Sequence, residues 1–205
     1  MKPQFITVEG IEGVGKTTCM EYLKQYMQEN NIPSVFTREP GGTVISEAIR
    51  QVVLSHYSEK MCDDTELLLY FAARAQHIHA LIKPNLSEGK FVISDRFTDA
   101  SYAYQSGGRG LPEERIEVLE KFVQGDLQPD ITLLLTAPVD IALHRTKQRS
   151  ELDRIEVEKE AFFVNVQENY LKRAKQYPNR FKIIDAARSV SEVQQQIKEV
   201  MDSII

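Results

Sequence analysis

The chain has 205 residues, 42% of them hydrophobic and 27% charged, with a net charge of −5. That is enough chain for one domain with a sizeable core and little for two, and the acidic balance argues against a protein that coats nucleic acid. No apolar run approaches the length that spans a bilayer, and Met1–Val8 lacks the basic start and cleavage site of a signal peptide, so a cytoplasmic protein free of membrane is expected.

The first predicted strand is Phe5–Val8. It runs into Gly10-Ile11-Glu12-Gly13-Val14-Gly15-Lys16-Thr17, which satisfies G-x-x-x-x-G-K-[ST], and helical periodicity follows over Lys16–Gln28, closed by Asn30, Asn31 and Pro33. A strand before and a helix after are what this motif needs. The glycines let successive N–H groups turn inward onto phosphate oxygens, and the helix presents its positive end to the same anion. Lys16 is placed to reach the β- and γ-phosphates of a nucleoside triphosphate, and the Thr17 hydroxyl, with Thr18 beside it, to join a magnesium shell. Cys19 in this helix and Cys62 beyond it show no metal-type spacing and read as inert thiols.

A second strand, Ser34–Thr37, ends in Arg38-Glu39-Pro40-Gly41-Gly42, and a helix is predicted over Val44–Leu54. Asp63 or Asp64 opens a long helix from Thr65 to about Ile82, with Pro84 and Gly89 as its stop. In it Phe71 and Arg74 lie one turn apart on one face. The third strand, Phe91–Ser94, delivers Asp95 and Arg96 to the sheet edge, where such folds place a carboxylate beside magnesium. The helix Pro112–Gln124 starts on proline and ends at Gly125. Then come a strand at Ile131–Thr136, a helix at Val139–Lys147, and a basic stretch holding Arg145, Lys147, Arg149 and Arg154. A helix at Glu156–Gln176, a strand at Phe181–Ile184 and a helix at Ser191–Ser203 complete the chain. Strands alternating with helices predict one α/β domain of the P-loop NTPase fold, a parallel five-stranded sheet flanked by helices.

The phosphate loop alone leaves kinase, GTPase switch and ATP-driven machine open. No N-K-x-D tetrapeptide, the usual guanine reader, occurs. Several separate arginines along the expected sheet edge favour transfer to a second phosphorylated substrate. Two alternatives remain at this level: a kinase of the same fold acting on another small molecule, and a nucleotide-binding switch without transferase activity.

Taken together, Gly10–Thr17, Arg38-Glu39-Pro40-Gly41-Gly42, Phe71-Ala72-Ala73-Arg74, Asp95-Arg96-Phe97, Ala103-Tyr104-Gln105, Arg109-Gly110 and Leu152-Asp153-Arg154 resemble the thymidylate kinase family of nucleoside monophosphate kinases. The resemblance implies transfer of the γ-phosphoryl group of ATP to dTMP with Mg²⁺, held by Thr17 and Asp95. It implies that Glu12 meets the sugar 3′-hydroxyl region, that Phe71 stacks on thymine, and that Arg74, with Ser101 and Gln105, lines the base pocket. Tyr104 is implied to fill the space of a ribose 2′-hydroxyl, and Arg38 and Arg96 to hold the acceptor's 5′-phosphate. Because Gly13 follows Glu12, the chain resembles the members whose mobile basic residue lies in a lid, here about 145–156, with Arg149 reaching the transferring group. A homodimer is also implied, with Leu67–Leu69 and Ile78–Ile82 as contributors. Ala100 departs from the family's usual serine.

Overall fold

A computed structural model describes residues 3–146 and 153–205. Five parallel strands form the sheet: β1 Phe5–Glu9, β2 Ser34–Arg38, β3 Phe91–Asp95, β4 Ile131–Thr136 and β5 Phe181–Asp185, in the order β2-β3-β1-β4-β5. β1 pairs with β3 on one side and β4 on the other, Val8 lying opposite both Asp95 and Leu133. The chain therefore leaves the carboxyl end of β1 at a switch point, where open α/β sheets hold their ligands.

Alternation along β1 sorts the core. Ile6 and Val8 face one side with Leu23 and Met27 of α1 (Lys16–Glu29), and Phe5 faces the other among Ile78, Ile82 and Phe97. Both faces are covered, which is why the strands read as continuous apolar runs rather than alternating ones. Each such fully buried Leu, Ile or Phe stabilises the fold by about 1.5–3 kcal/mol.

Helix α2 is Val44–Leu54, capped by the Thr43 hydroxyl accepting from the Ser46 N–H at 3.2 Å. α3, Asp63–His77, continues through a π-helical turn at Ile78–Ile82 into α4, Lys83–Ser87. The expected stop at Pro84 is therefore wrong. Pro84 is carried inside the continuing helix directly after the π-helical turn, and the helix ends beside Gly89, the other expected stop, whose φ is 79°. A second departure is α5, Thr98–Ser101, and the π-helical segment Tyr102–Gly108 that follows it, where no element was expected. Gly107 and Gly108 hide the helical pattern, yet they let the segment press against a later helix: a Cβ on Gly108 would collide with the Phe162 ring.

α6 is Glu113–Gln124 and α7 Val139–Thr146. α8, Glu160–Gln176, starts later than expected because the Asp153 carboxylate takes the N–H groups of Ile155 (2.8 Å) and Glu156 (3.0 Å) into a separate turn. α9, Val190–Asp202, opens with a capping box between Ser189 and Glu192. Among the described residues no helix is long and apolar enough to cross a membrane.

Candidate functional site: a phosphate cradle and an arginine-lined cleft

One cleft runs beyond the carboxyl ends of β1, β2 and β3. The loop after β1 forms its floor. Gly10, Gly13 and Gly15 hold φ of 139°, 75° and 101°, conformations that L side chains rarely adopt, and Ile11 and Val14 anchor the loop by pointing into the core. Glu12, Lys16, Thr17 and Thr18 line the cleft. Lys16 Nζ donates to the carbonyls of Gly10 at 3.1 Å and Ile11 at 3.0 Å. Burial, reinforced by the Arg96 charge, lowers the Lys16 pKa to about 8. Gly13 lies against α7, where a Cβ would collide with the Ala142 carbonyl oxygen. An arginine at this loop position has no room.

Arg96 gathers the middle of the site. Its φ is 72°, a left-handed conformation that costs a non-glycine residue about 1–2 kcal/mol. The turn holds because its side chain is fixed on every side. Nη2 reaches Glu12 Oε1 at 2.8 Å and the Tyr104 hydroxyl at 2.9 Å, Nη1 donates to the Tyr170 hydroxyl at 3.2 Å, and the guanidinium lies 4.6 Å from the Tyr104 ring centroid. Tyr104 in turn donates to Glu12 Oε2 at 2.7 Å. Behind them Glu9, fully buried, accepts from the Phe97 N–H and from the Tyr170 hydroxyl, both at 2.7 Å. Burial, aided by the nearby Asp99 charge, raises the Glu9 pKa to about 8. The carboxylate in direct contact with the Arg96 guanidinium is Glu12.

Asp95 lines the same cleft, and no described group donates to its buried Oδ1. A buried carboxylate oxygen without a partner is costly unless a cation meets it. With the Thr17 hydroxyl it makes a hard-oxygen pair that suits Mg²⁺. No cluster of three His, Cys, Asp or Glu able to hold a metal is present among the described residues, so an ion here would take most of its oxygens from phosphate and water.

The far end of the cleft is built around Arg74, which is 1% exposed. Nε bonds Glu39 Oε2 at 2.7 Å, Nη1 the Ser101 hydroxyl at 3.0 Å and Nη2 the Phe97 carbonyl at 3.2 Å. Glu39 is steadied by His77 Nδ1 at 2.9 Å, and His77 Nε2 meets Thr37 Oγ1 at 2.7 Å. Ser101, Tyr104 and Gln105 all line the cleft, as Arg74 does.

Two expected residues are elsewhere. Phe71 does not line the cleft; it packs with Leu67, Tyr102 and Ile116, and its ring backs the Arg74 guanidinium at 4.6 Å. Tyr70, one residue earlier, is the aromatic side chain that α3 presents on the cleft wall, where Phe97 and Tyr104 also stand. Spacing i to i+4 along α3, not i to i+3, puts the aromatic beside Arg74 in the cleft. Arg38 also stands outside the lining, exposed and paired with Glu47 at 2.9 Å. The cation that α2 presents there is Arg50, which donates to the Pro40 carbonyl at 2.8 Å. Arg145 lines the cleft and donates to the Ala186 carbonyl at 3.4 Å. Arg154 turns away to Glu66, and Arg149, with Lys147, lies outside the described residues.

Sequence reasoning passed over Tyr70, Arg50, Glu9 and Glu66. Glu9 carried a usable signal, a charged residue closing an apolar strand at the sheet edge that binds ligands. The other three look like ordinary helix positions.

A thymidylate kinase family model matches residues 8–197. The chain is 51% identical over 201 residues to the thymidylate kinase of Vesicomyosocius okutanii subsp. Calyptogena okutanii (strain HA), covering 98% of each protein. It is also 51% identical over 205 residues to that of Pseudomonas putida F1, covering all of this chain and 98% of the relative. The crystal structure of thymidylate kinase from Ehrlichia chaffeensis superposes with a TM-score of 0.78 at 32% identity, over 98% of this chain and 99% of that one.

Proposed function

The chain belongs to the thymidylate kinase family, and from that premise we propose how its residues divide the work of moving the γ-phosphoryl group of ATP to dTMP. The observation that carries this reading is the single cleft shared by Lys16, Asp95, Arg96 and Arg74. A phosphate cradle lies at one end and a buried hydrogen-bonding pocket at the other.

The acceptor phosphate has a second pKa of about 6 and is largely dianionic at neutral pH. It needs no strong general base, and the obstacle is repulsion between two anions. Lys16 and the loop amides hold the donor's phosphates. Arg96, fixed by Glu12, Tyr104 and Tyr170, receives the acceptor's 5′-phosphate together with Arg50. Thr17 and Asp95 would hold Mg²⁺, which would supply further neutralisation of the phosphates. Fixed charges of this kind stabilise the transition state without reorganising as the reaction proceeds. Arg149, a site for which Gly13 leaves no substitute in the loop, reaches the transferring group, and the 145–156 segment keeps water out. The adenine end lies where Arg145 meets the loop after β5.

At the acceptor's end, Tyr70 stacks on the pyrimidine, Arg74 donates to its O4, Gln105 and Ser101 flank it, Glu12 takes the 3′-hydroxyl, and Tyr104 leaves no space for a 2′-hydroxyl. Tyr70→Ala is expected to raise KM for dTMP about tenfold to a hundredfold, by loss of about 1–3 kcal/mol of stacking, with little change in KM for ATP. Phe71→Ala should instead lower Tm, since it removes a core ring at a cost of about 3–5 kcal/mol. Steady-state kinetics and thermal melts on both variants separate the two roles; the reverse pattern contradicts them.

A second copy of the chain is the proposed partner. The expected contributors Ile78 and Ile82 are core residues, but Leu68 on α3 and Val118 and Phe122 on α6 are 56%, 68% and 86% exposed. The two helices are tied together by Asp64 and Arg115 at 2.5 Å, so these side chains form a face suited to self-association.

The deciding experiment is a coupled assay of ADP release with dTMP, dUMP, CMP and AMP as acceptors. Release dependent on dTMP supports the reading; ATP turnover indifferent to any monophosphate contradicts it.

A further inference from the structure

Gln105 reaches the cleft with only one of its two amide atoms available. Its Nε2 donates to Glu66 Oε1 at 2.9 Å, and among the described residues nothing donates to its Oε1. The two ends of an amide have nearly the same shape, but here chemistry decides between them. Glu66 is 1% exposed and does not line the cleft. Its Oε1 also accepts from Arg109 Nε at 3.3 Å, and its Oε2 from Arg109 Nη2 at 3.2 Å and Arg154 Nη2 at 2.6 Å. Burial works to raise its pKa, but the Arg109 charge and the hydrogen bonds from Gln105, Arg109 and Arg154 outweigh burial and hold it below the usual carboxylate range. Glu66 is therefore ionised and can only accept. The Gln105 NH₂ must face Glu66, and Oε1 must be the end turned to the cleft.

The base pocket then carries a two-letter code. Described acceptors take three of the Arg74 donors out of the five a guanidinium has, so Arg74 presents a donor. Gln105 presents an acceptor. Thymine and uracil offer the matching pair, an O4 acceptor beside an N3–H donor. Cytosine offers the reverse, an N4 amino donor beside a bare N3 acceptor.

We propose that Glu66, which touches no substrate, is a positioning residue for base selection: by fixing the Gln105 amide it commits the site to pyrimidines that carry an N3–H. This rests on the dTMP kinase reading above. Arg109 and Arg154 serve the selection by keeping Glu66 ionised; Arg109 is itself held by Glu158 and Arg154 by the Val53 carbonyl at 2.9 Å.

The test is the ratio of kcat/KM for dTMP to that for dCMP. In Glu66→Gln the facing group can donate as well as accept, so Gln105 is free to reverse. The ratio is expected to fall at least about tenfold, the effect of presenting the wrong hydrogen-bonding group in a buried pocket. Glu66→Asp, still an acceptor only, should keep the ratio within about threefold of the original even if Tm drops. A folded Glu66→Gln enzyme with an unchanged ratio overturns the proposal, and so does an equal collapse in both variants, which would mark a packing effect. If Glu66→Gln does not fold, the unmodified enzyme decides by NMR. The Gln105 side-chain NH₂ signals, identified by their loss in Gln105→Met, should stay protected from exchange and unshifted when dTMP binds; protons that exchange freely or respond to the base overturn it. An enzyme that phosphorylates neither nucleotide would defeat the underlying reading instead, so the two failures are distinguishable.

Discussion

Arg96→Met is expected to lower kcat/KM for dTMP by about 10³-fold while KM for ATP changes less than about threefold. The size follows from two losses at once. The acceptor's phosphate loses a fixed, desolvated guanidinium, and Glu12, whose oxygen lies 2.8 Å from Arg96, is left as an uncompensated negative charge facing an incoming dianion. Removing one partner of a buried pair costs about 3–5 kcal/mol, this pair is largely though not fully buried, and about 1.4 kcal/mol corresponds to tenfold in rate. Arg96→Lys keeps the charge but loses the planar fork that serves Glu12, Tyr104 and Tyr170 together, and should fall between the two. Arg96→Gly adds a control, because glycine relieves the left-handed backbone. Its activity should be as low as that of Arg96→Met despite the relief. Equal losses toward ATP and dTMP in Arg96→Met would contradict the assignment.

Lys16→Met is the second large effect, with kcat expected to fall by roughly 10²–10³-fold, the scale for deleting one fixed group that stabilises transition-state charge. The same residue sets a pH dependence. Burial and Arg96 bring its pKa down to about 8, and only the protonated amine can pair with phosphate. In the free enzyme kcat/KM for ATP should therefore decline as pH rises through about 8. Bound phosphates favour the charged form, so the corresponding limb of the kcat profile should lie at higher pH. A kcat/KM for ATP that is flat between about pH 7 and 9 would mean that Lys16 is not the group being titrated.

The strands and the phosphate loop were legible in the sequence because both are local. A buried parallel strand is a short apolar run, and the loop is a contiguous motif whose glycines mark the required turns. The place of Asp95 and Arg96 at the sheet edge was legible for the same reason, since Asp95 closes β3 and Arg96 follows it. What the sequence left hidden depended on packing between distant segments. Phe71 and Tyr70 are neighbours on α3, and only the packing of Phe71 against Leu67, Tyr102 and Ile116 decides which ring faces the cleft. Arg38 ends a strand at the right edge, but Glu47 holds it, whereas Arg50 enters from a helix that the sequence marks only as amphipathic. Tyr102–Gly108 gave no helical signal because π geometry and two glycines obscure the 3.6-residue period. Arg154 reads as part of a basic stretch until Glu66, far away in the chain, is seen to accept from it.

In the proposed reaction, donor and acceptor anions meet in one cleft under a shared set of positive groups. A compound joining adenosine to thymidine, 5′ to 5′ through a polyphosphate chain, tests this most directly. Inhibition competitive with both ATP and dTMP is expected, with affinity weakened by Lys16→Met and Arg96→Met alike. Competition with only one substrate, or affinity indifferent to Arg96, would contradict it.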